Sequence, residues 1–130
     1  MEKINEKKKI LLVDDDEIQL EIAENMLMSE YEIITAGSGK EALNYLHGGF
    51  IPNLILLDLL MPVMDGWETY NKIKEISFSR DIPIVFLTSQ QERNTMKNAH
   101  GIGAADYILK PYVREDLLSR IEIIIKKSTF

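Results

Sequence analysis

An aspartate ends a stretch of the sequence that is otherwise typical of a buried strand. Asp58 closes the segment NLILLD, in which every other residue except Asn53 is leucine or isoleucine. Burying an unpaired carboxylate is costly on the scale of ion desolvation, so this position requires partners. Polar groups that could serve as partners follow other apolar segments of the chain: Asp14, Asp15, Thr88 and Lys110.

Together these side chains could carry out phosphoryl transfer to a carboxylate. Like charges about 4 Å apart repel by roughly 4 kcal/mol at an effective dielectric of about 20, so clustered aspartates need a cation. Oxygen ligands without nearby histidine or cysteine favour Mg²⁺. Lys110 supplies an ammonium group suited to phosphate, and Thr88 supplies a hydroxyl donor. An aspartate that acts as nucleophile beside a cation, a lysine and a hydroxyl could form an acyl phosphate.

The elements that must position these residues alternate along the chain. Short apolar segments predict five strands, at residues 9–13, 31–36, 53–57, 82–88 and 105–109. Amphipathic segments predict five helices, at residues 17–29, 37–47, 65–76, 91–100 and 112–127. Strict alternation of this kind predicts an α/β fold with a parallel sheet covered on both faces.

The sequence also predicts which strand is at an edge and which helix faces are buried. Glu32 and Thr35 in the second strand favour an edge position. Ser38 is a candidate N-cap of the second helix. The expected apolar faces are Ile18, Ile22, Met26 and Leu27 in the first helix, and Leu117, Ile121 and Ile124 in the last.

The candidate residues share one position relative to the predicted strands. Asp14 and Asp15 follow the first strand, Asp58 ends the third, Thr88 ends the fourth and Lys110 follows the fifth. In open parallel sheets, ligands bind beyond the carboxyl ends of the strands, where the strand order reverses. We therefore expect these side chains to meet at one rim of the sheet.

Composition limits the possible functions. The chain has 130 residues, about one domain, and its net charge of −6 makes nucleic acid an unexpected direct partner. It has no cysteine, which excludes disulfides and thiolate metal sites. The start of the sequence is too charged for a signal peptide. No apolar run reaches about 18 residues, so we predict no membrane span. A cytoplasmic location is the default expectation.

Four motifs in order resemble one known family. They are ILLVDDD, LILLDLLMPVMDGWE, IPIVFLTSQ and GAADYILKPY, with Thr88 30 residues after Asp58 and Lys110 22 residues after Thr88. The chain resembles the receiver domain of two-component response regulators and is similar to the single-domain chemotaxis response regulator. The resemblance implies a flavodoxin-like (βα)5 fold with strand order 2-1-3-4-5. It also implies a receiver domain at residues 9–128, preceded by a charged lead-in at 1–8.

The resemblance assigns a role to each acidic residue. Asp58 would be the phosphoacceptor. Asp15 would bind Mg²⁺ directly and Asp14 through a water. Asp58 and the backbone carbonyl of Leu60 would complete the protein ligands of the ion.

The resemblance also implies how the phosphoryl group is held and sensed. Thr88 and Lys110 would contact the phosphoryl oxygens, and the Lys110–Pro111 bond would be cis. Tyr107 would change its exposure together with Thr88. The surface formed by the helix at 91–100, the fifth strand and the last helix would then be remodelled for a partner.

The implied partners are proteins. A histidine kinase or a histidine phosphotransfer protein would donate the phosphoryl group, and a downstream protein would receive the signal. No direct contact with nucleic acid or membrane is expected, and the chain would be a monomer or a weak phosphorylation-dependent dimer. It would be regulatory rather than an enzyme, with only intrinsic self-phosphorylation and self-dephosphorylation.

Other interpretations of the same residues remain open. Asp14 and Asp15 could act only as helix caps, as we expect for Asp16. Asp14 to Ile18 nearly matches the DxDx[TV] signature of haloacid-dehalogenase-type phosphatases, which would make Asp14 the nucleophile. That alternative leaves Asp58 unexplained. We expect Trp67 to serve in the packing of its helix, and we expect two residues to lie on the surface: His47 and His100.

Overall fold

The computed structural model describes residues 6–89 and 103–128. Its strands are β1 (Lys9–Val13), β2 (Glu32–Ala36), β3 (Leu54–Asp58), β4 (Ile84–Thr88) and β5 (Asp106–Leu109). Its helices are α1 (Glu17–Leu27), α2 (Gly39–His47), α3 (Gly66–Glu75) and α4 (Arg114–Ser128), with a short 3₁₀ turn at Ser77–Ser79. The helix predicted at 91–100, which includes His100, lies outside the described residues.

The strands form one parallel sheet in the order β2-β1-β3-β4-β5. This confirms the flavodoxin-like α/β fold and the edge position of β2. The order reverses between β1 and β3, since the chain passes from β1 outward to β2 and then returns to the other side. Val13 of β1 pairs with Leu57 of β3, so the residues that follow them lie side by side at the carboxyl rim.

Two apolar clusters pack on the two faces of the sheet. One lies between the sheet and α2 and α3, and it includes Phe86, Leu46 and Ile73. The other lies between the sheet and α1 and α4, and it includes Leu27 and Leu117. The central strands contribute side chains to both clusters, which explains why they are apolar at successive positions.

The predicted apolar face of α1 is wrong in part. Ile18 and Ile22 are 68% and 39% exposed, whereas Ala23 and Leu27 are buried. The helix starts at Glu17 after its N-cap, Asp16, which accepts the amides of Ile18 and Gln19. Positions 23 and 27 therefore face the sheet, and a short alanine is buried where an isoleucine was expected.

Other helix features that were predicted within the described residues are confirmed. Ser38 caps α2 by accepting the amide of Glu41. The face of α4 that includes Leu117, Ile121 and Ile124 is buried. Trp67 packs its ring on Phe86, with ring centroids 4.8 Å apart, and His47 is exposed.

Within the described residues, none of the helices has the length and apolar character needed to cross a bilayer.

Candidate functional site

Three aspartates meet at the carboxyl rim, where the strand order reverses. Asp58 is the last residue of β3, and Asp14 and Asp15 follow β1 directly. Carboxylate oxygens of the three residues lie within 4.8 Å of one another. Asp14 and Asp58 are 1% and 4% exposed, while Asp15 is open to solvent. The rim therefore holds two buried acids beside one accessible acid.

Lys110 lies between the two buried acids. Its Nζ donates to Oδ2 of Asp14 at 2.8 Å and to Oδ1 of Asp58 at 3.1 Å. Burial would lower the pKa of Lys110, but the hydrogen bonds and charges of Asp14 and Asp58 outweigh burial and raise it. The lysine is thus held charged across the physiological pH range.

The backbone fixes this lysine at the rim. The amide of Lys110 donates to the carbonyl of Thr88 at 2.7 Å, which extends the pairing of β5 with β4 by one residue. The Lys110–Pro111 bond is cis, as the resemblance implies. The amide of Asp14 is fixed in the same way, since it donates to the carbonyl of Ala36 at 3.1 Å.

The donor set fits a small hard cation. Three carboxylates offer oxygen ligands of the kind that Mg²⁺ takes, and the open side at Asp15 leaves room for waters. One ammonium group cannot balance three carboxylates, so a divalent ion here would complete the neutralisation. Leu60 is 65% exposed in the loop that follows Asp58. The proposed role of its backbone carbonyl as a ligand remains a prediction.

Thr88 and Tyr107 lie on neighbouring strands. Thr88 is fully buried, and its hydroxyl donates to the carbonyl of Ser89 at 3.3 Å. Tyr107 pairs with Phe86 across the sheet, and their rings stack with centroids 5.8 Å apart. Burial raises the pKa of the Tyr107 hydroxyl, and Tyr70 and Asp106 raise it further. Tyr107 therefore packs on the aromatic core. It lies two residues before Leu109, which pairs with Thr88.

The loop after Asp58 is tightly constrained. Val63 has a φ of 69°, and the Met64 amide donates to the carbonyl of Pro62 at 2.8 Å, which describes a γ-turn of the rare positive-φ form. Backbone strain of this kind persists only where the surroundings enforce it. The amide of Gly66 also donates to the carbonyl of Leu59 at 2.8 Å, which ties the start of α3 to the end of β3.

Sequence reasoning overlooked one residue of the site. Tyr112 is 8% exposed, and its hydroxyl is buried with no hydrogen-bond partner in the described part of the chain. Its position two residues after Lys110 was the available signal, because that position brings a polar group close to the rim of the sheet.

Comparison with protein families gives an assignment. The family model described as response regulator receiver domain matches residues 10–122. This chain belongs to the response regulator receiver domain family. The receiver domain is the signal-accepting module of two-component signalling, which supports a regulatory role. The match gives no support to the haloacid-dehalogenase alternative.

Curated relatives of this receiver domain are transcriptional regulators by name. It is 37% identical over 125 residues to the probable transcriptional regulator ycf27 of Porphyra purpurea, covering 95% of this chain and 50% of the relative. It is 38% identical over 116 residues to the transcriptional regulatory protein CrdR of Helicobacter pylori, covering 88% of this chain and 54% of that protein. The chain thus spans about half the length of the curated relatives it matches.

Solved structures of receiver domains have the same fold. A putative response regulator from Chloroflexus aurantiacus superposes with a TM-score of 0.86 at 30% identity, covering 93% of this chain and 99% of that one. The chemotaxis protein CheY4 of Vibrio cholerae superposes with a TM-score of 0.83 at 28% identity, covering 91% of this chain and 98% of that one.

Proposed function

We propose that this receiver domain, residues 9–128, accepts a phosphoryl group on Asp58 in a reaction that depends on Mg²⁺. The observation that carries the proposal is the group of three carboxylates within 4.8 Å, with Lys110 bonded to two of them. The donor would be a phosphohistidine on a histidine kinase or a histidine phosphotransfer protein. The downstream target would be another protein or another part of a longer chain.

The chemistry requires positioning and charge balance more than acid–base catalysis. An oxygen of Asp58 forms a bond to phosphorus while the phosphorus–nitrogen bond of the donor breaks, and its electron pair returns to the imidazole. Lys110 and the hydroxyl of Thr88 stabilise the phosphoryl oxygens. Asp14, Asp15, Asp58 and the Leu60 carbonyl would hold the ion. When bound, Mg²⁺ supplies charge neutralisation at those oxygens.

The test of this proposal is phosphorylation by acetyl phosphate, followed by intact mass. We expect one phosphoryl group on the wild type with Mg²⁺ and almost none with EDTA. Asp15→Asn should reduce the rate at least about tenfold, since even residues that only support metal ligands have effects of this size. Asp16→Asn is the matched control, because Asp16 caps α1 and an asparagine also caps well. Labelling that proceeds unchanged in EDTA would overturn the proposal.

We also propose that Thr88 transmits the effect of phosphorylation to Tyr107 and to a surface that would combine β5, α4 and the helix predicted at 91–100. The new group brings roughly −1.5 to −2 charge and three acceptor oxygens, which would draw the Thr88 hydroxyl away from the carbonyl of Ser89. Tyr107 would then move into the space beside it. The group can shift this equilibrium only by its differential affinity for the two states.

The Thr88→Ala variant tests this coupling, with Thr88→Ser as the control that keeps the hydroxyl. Amide hydrogen exchange is measured with Mg²⁺, with and without beryllofluoride as the phosphoryl mimic. In the wild type and in Thr88→Ser we expect altered protection in β5 and α4. In Thr88→Ala we expect the mimic to bind while these segments stay unchanged. An alanine variant that responds like the wild type contradicts the coupling.

A further inference from the structure

The Tyr112 hydroxyl is the buried polar group that the proposed reaction leaves without a role. More than nine-tenths of the residue is buried, and its oxygen has no hydrogen-bond partner within the described residues. A buried donor without a partner destabilises the fold, so native proteins rarely keep one without a reason. A phenylalanine would fill the same space without this disadvantage.

Tyr112 lies near the acidic site. Its ring packs in the cluster on the face covered by α1 and α4, together with Leu12 of β1. It is also two residues beyond Lys110, in the connection between β5 and α4. Burial raises the pKa of its hydroxyl strongly, and the charges of Asp14 and then Asp58 raise it further. The charges of both acids thus act on this buried hydroxyl, which places it near them without a hydrogen bond to either in the structure.

Within the described residues, two donors form hydrogen bonds to the Asp14 carboxylate. The amide of Asp16 donates to its Oδ1 at 3.0 Å, and Lys110 donates to its Oδ2 at 2.8 Å. Lys110 also bonds to Asp58 at 3.1 Å. A phosphoryl group on Asp58 would compete for Lys110, since its oxygens carry more charge than a carboxylate. Each time Lys110 moved to the phosphoryl oxygens, Oδ2 of Asp14 would lose a donor in a buried position.

We propose that Tyr112 is a positioning residue whose hydroxyl donates to Asp14 when Lys110 turns to the phosphoryl group. This exchange of donors keeps the Asp14 carboxylate satisfied and oriented in the phosphorylated state. It also gives the buried hydroxyl a partner in that state. The inference rests on the proposed function, because it requires a phosphoryl group at Asp58.

The Tyr112→Phe variant tests the proposal through two measurements. The first is the affinity for beryllofluoride at saturating Mg²⁺, by calorimetry, which we expect to fall about tenfold, as for one lost hydrogen bond to a charged group. The second is the melting temperature in EDTA, which we expect to stay the same or rise. If Tyr112 had only a structural role, the variant would keep its affinity for beryllofluoride and would melt at a lower temperature. Tyr45→Phe on the outer side of α2 is the control and should change neither.

The outcomes separate this inference from the proposed function. Failure of the wild type to bind beryllofluoride with Mg²⁺ contradicts the proposed function. Normal binding by the wild type and equal binding by Tyr112→Phe overturns only the inference. If the variant loses both affinity and stability, proton NMR of the wild-type complex decides. A slowly exchanging Tyr112 hydroxyl proton supports the exchange of donors, and its absence overturns it.

Discussion

Replacing Lys110 by methionine is expected to lower the free energy of unfolding by about 3 kcal/mol in the absence of divalent ions. This value is at the lower end of the range measured when one partner of a buried ion pair is removed. The low end applies because the lysine side chain is 20% exposed, whereas its partners Asp14 and Asp58 are 2% and 6% exposed. Methionine keeps most of the side-chain volume but leaves two buried carboxylates without their shared cation. Urea unfolding in EDTA measures the loss.

Mg²⁺ should restore part of this lost stability. An ion that binds the folded state stabilises it by mass action, and the acidic cluster of the variant has more uncompensated charge for it to neutralise. The control is Lys126→Met, because Lys126 is exposed and its pair with Glu122 spans 3.9 Å. Such surface pairs contribute about 0–1 kcal/mol. A Lys110→Met protein as stable as this control would show that Lys110 does not neutralise the buried acids.

The same ion pair predicts a pH dependence. Since the pKa of Lys110 is raised in the folded state, its contribution is complete below the ordinary lysine pKa of about 10.4 and is lost as the pH rises through the folded value. The stability difference between wild type and Lys110→Met should therefore be constant near neutral pH and shrink in strong alkali.

Replacing Gly66 by alanine is expected to destabilise the protein by about 3 kcal/mol or more, at or above the usual range for overpacking. An added Cβ would collide with the backbone carbonyl of Asp58 and would lie 2.8 Å from Cα of Leu59. These atoms belong to the backbone at the end of β3 and cannot rotate away. The collision would also displace Asp58, so we expect the folded fraction of the variant to be phosphorylated more slowly by acetyl phosphate.

Gly37→Ala is the matched control for this substitution. The nearest atom to a Cβ at Gly37 is Oε1 of Glu41 at 3.9 Å, an ordinary contact with a flexible side chain. We expect no loss of stability there, and a gain of up to about 1 kcal/mol from the lower entropy of the unfolded chain. Equal thermal melting of Gly66→Ala and Gly37→Ala would show that the close approach of α3 to β3 is not required.

The sequence was sufficient to predict the sheet and the meeting of the acidic residues. Alternating apolar segments specify parallel strands, and parallel strands bring their carboxyl ends to one rim. Asp14, Asp15 and Asp58 are therefore close because of topology. Their individual roles as ligands and phosphoacceptor remain predictions. The order β2-β1-β3-β4-β5 came from the resemblance, since periodicity alone does not specify which strands are neighbours.

Three features depended on packing that periodicity does not encode. The rotation of α1 about its axis buries the small Ala23 and leaves Ile18 and Ile22 facing outward despite their spacing. The close contact at Gly66 depends on the path of the backbone after β3. The burial of Tyr112 near the acids depends on the course of the connection between β5 and α4, which only the three-dimensional structure gives.

The most direct test of the account is to identify the residue that carries the phosphoryl group. Protein phosphorylated by acetyl phosphate with Mg²⁺ is reduced with borohydride, which converts an aspartyl phosphate to homoserine, and the product is mapped by peptide mass spectrometry. The account predicts homoserine at Asp58, and none in an Asp58→Asn variant treated in the same way. Homoserine at Asp14 instead, or labelling that persists in Asp58→Asn, would contradict it.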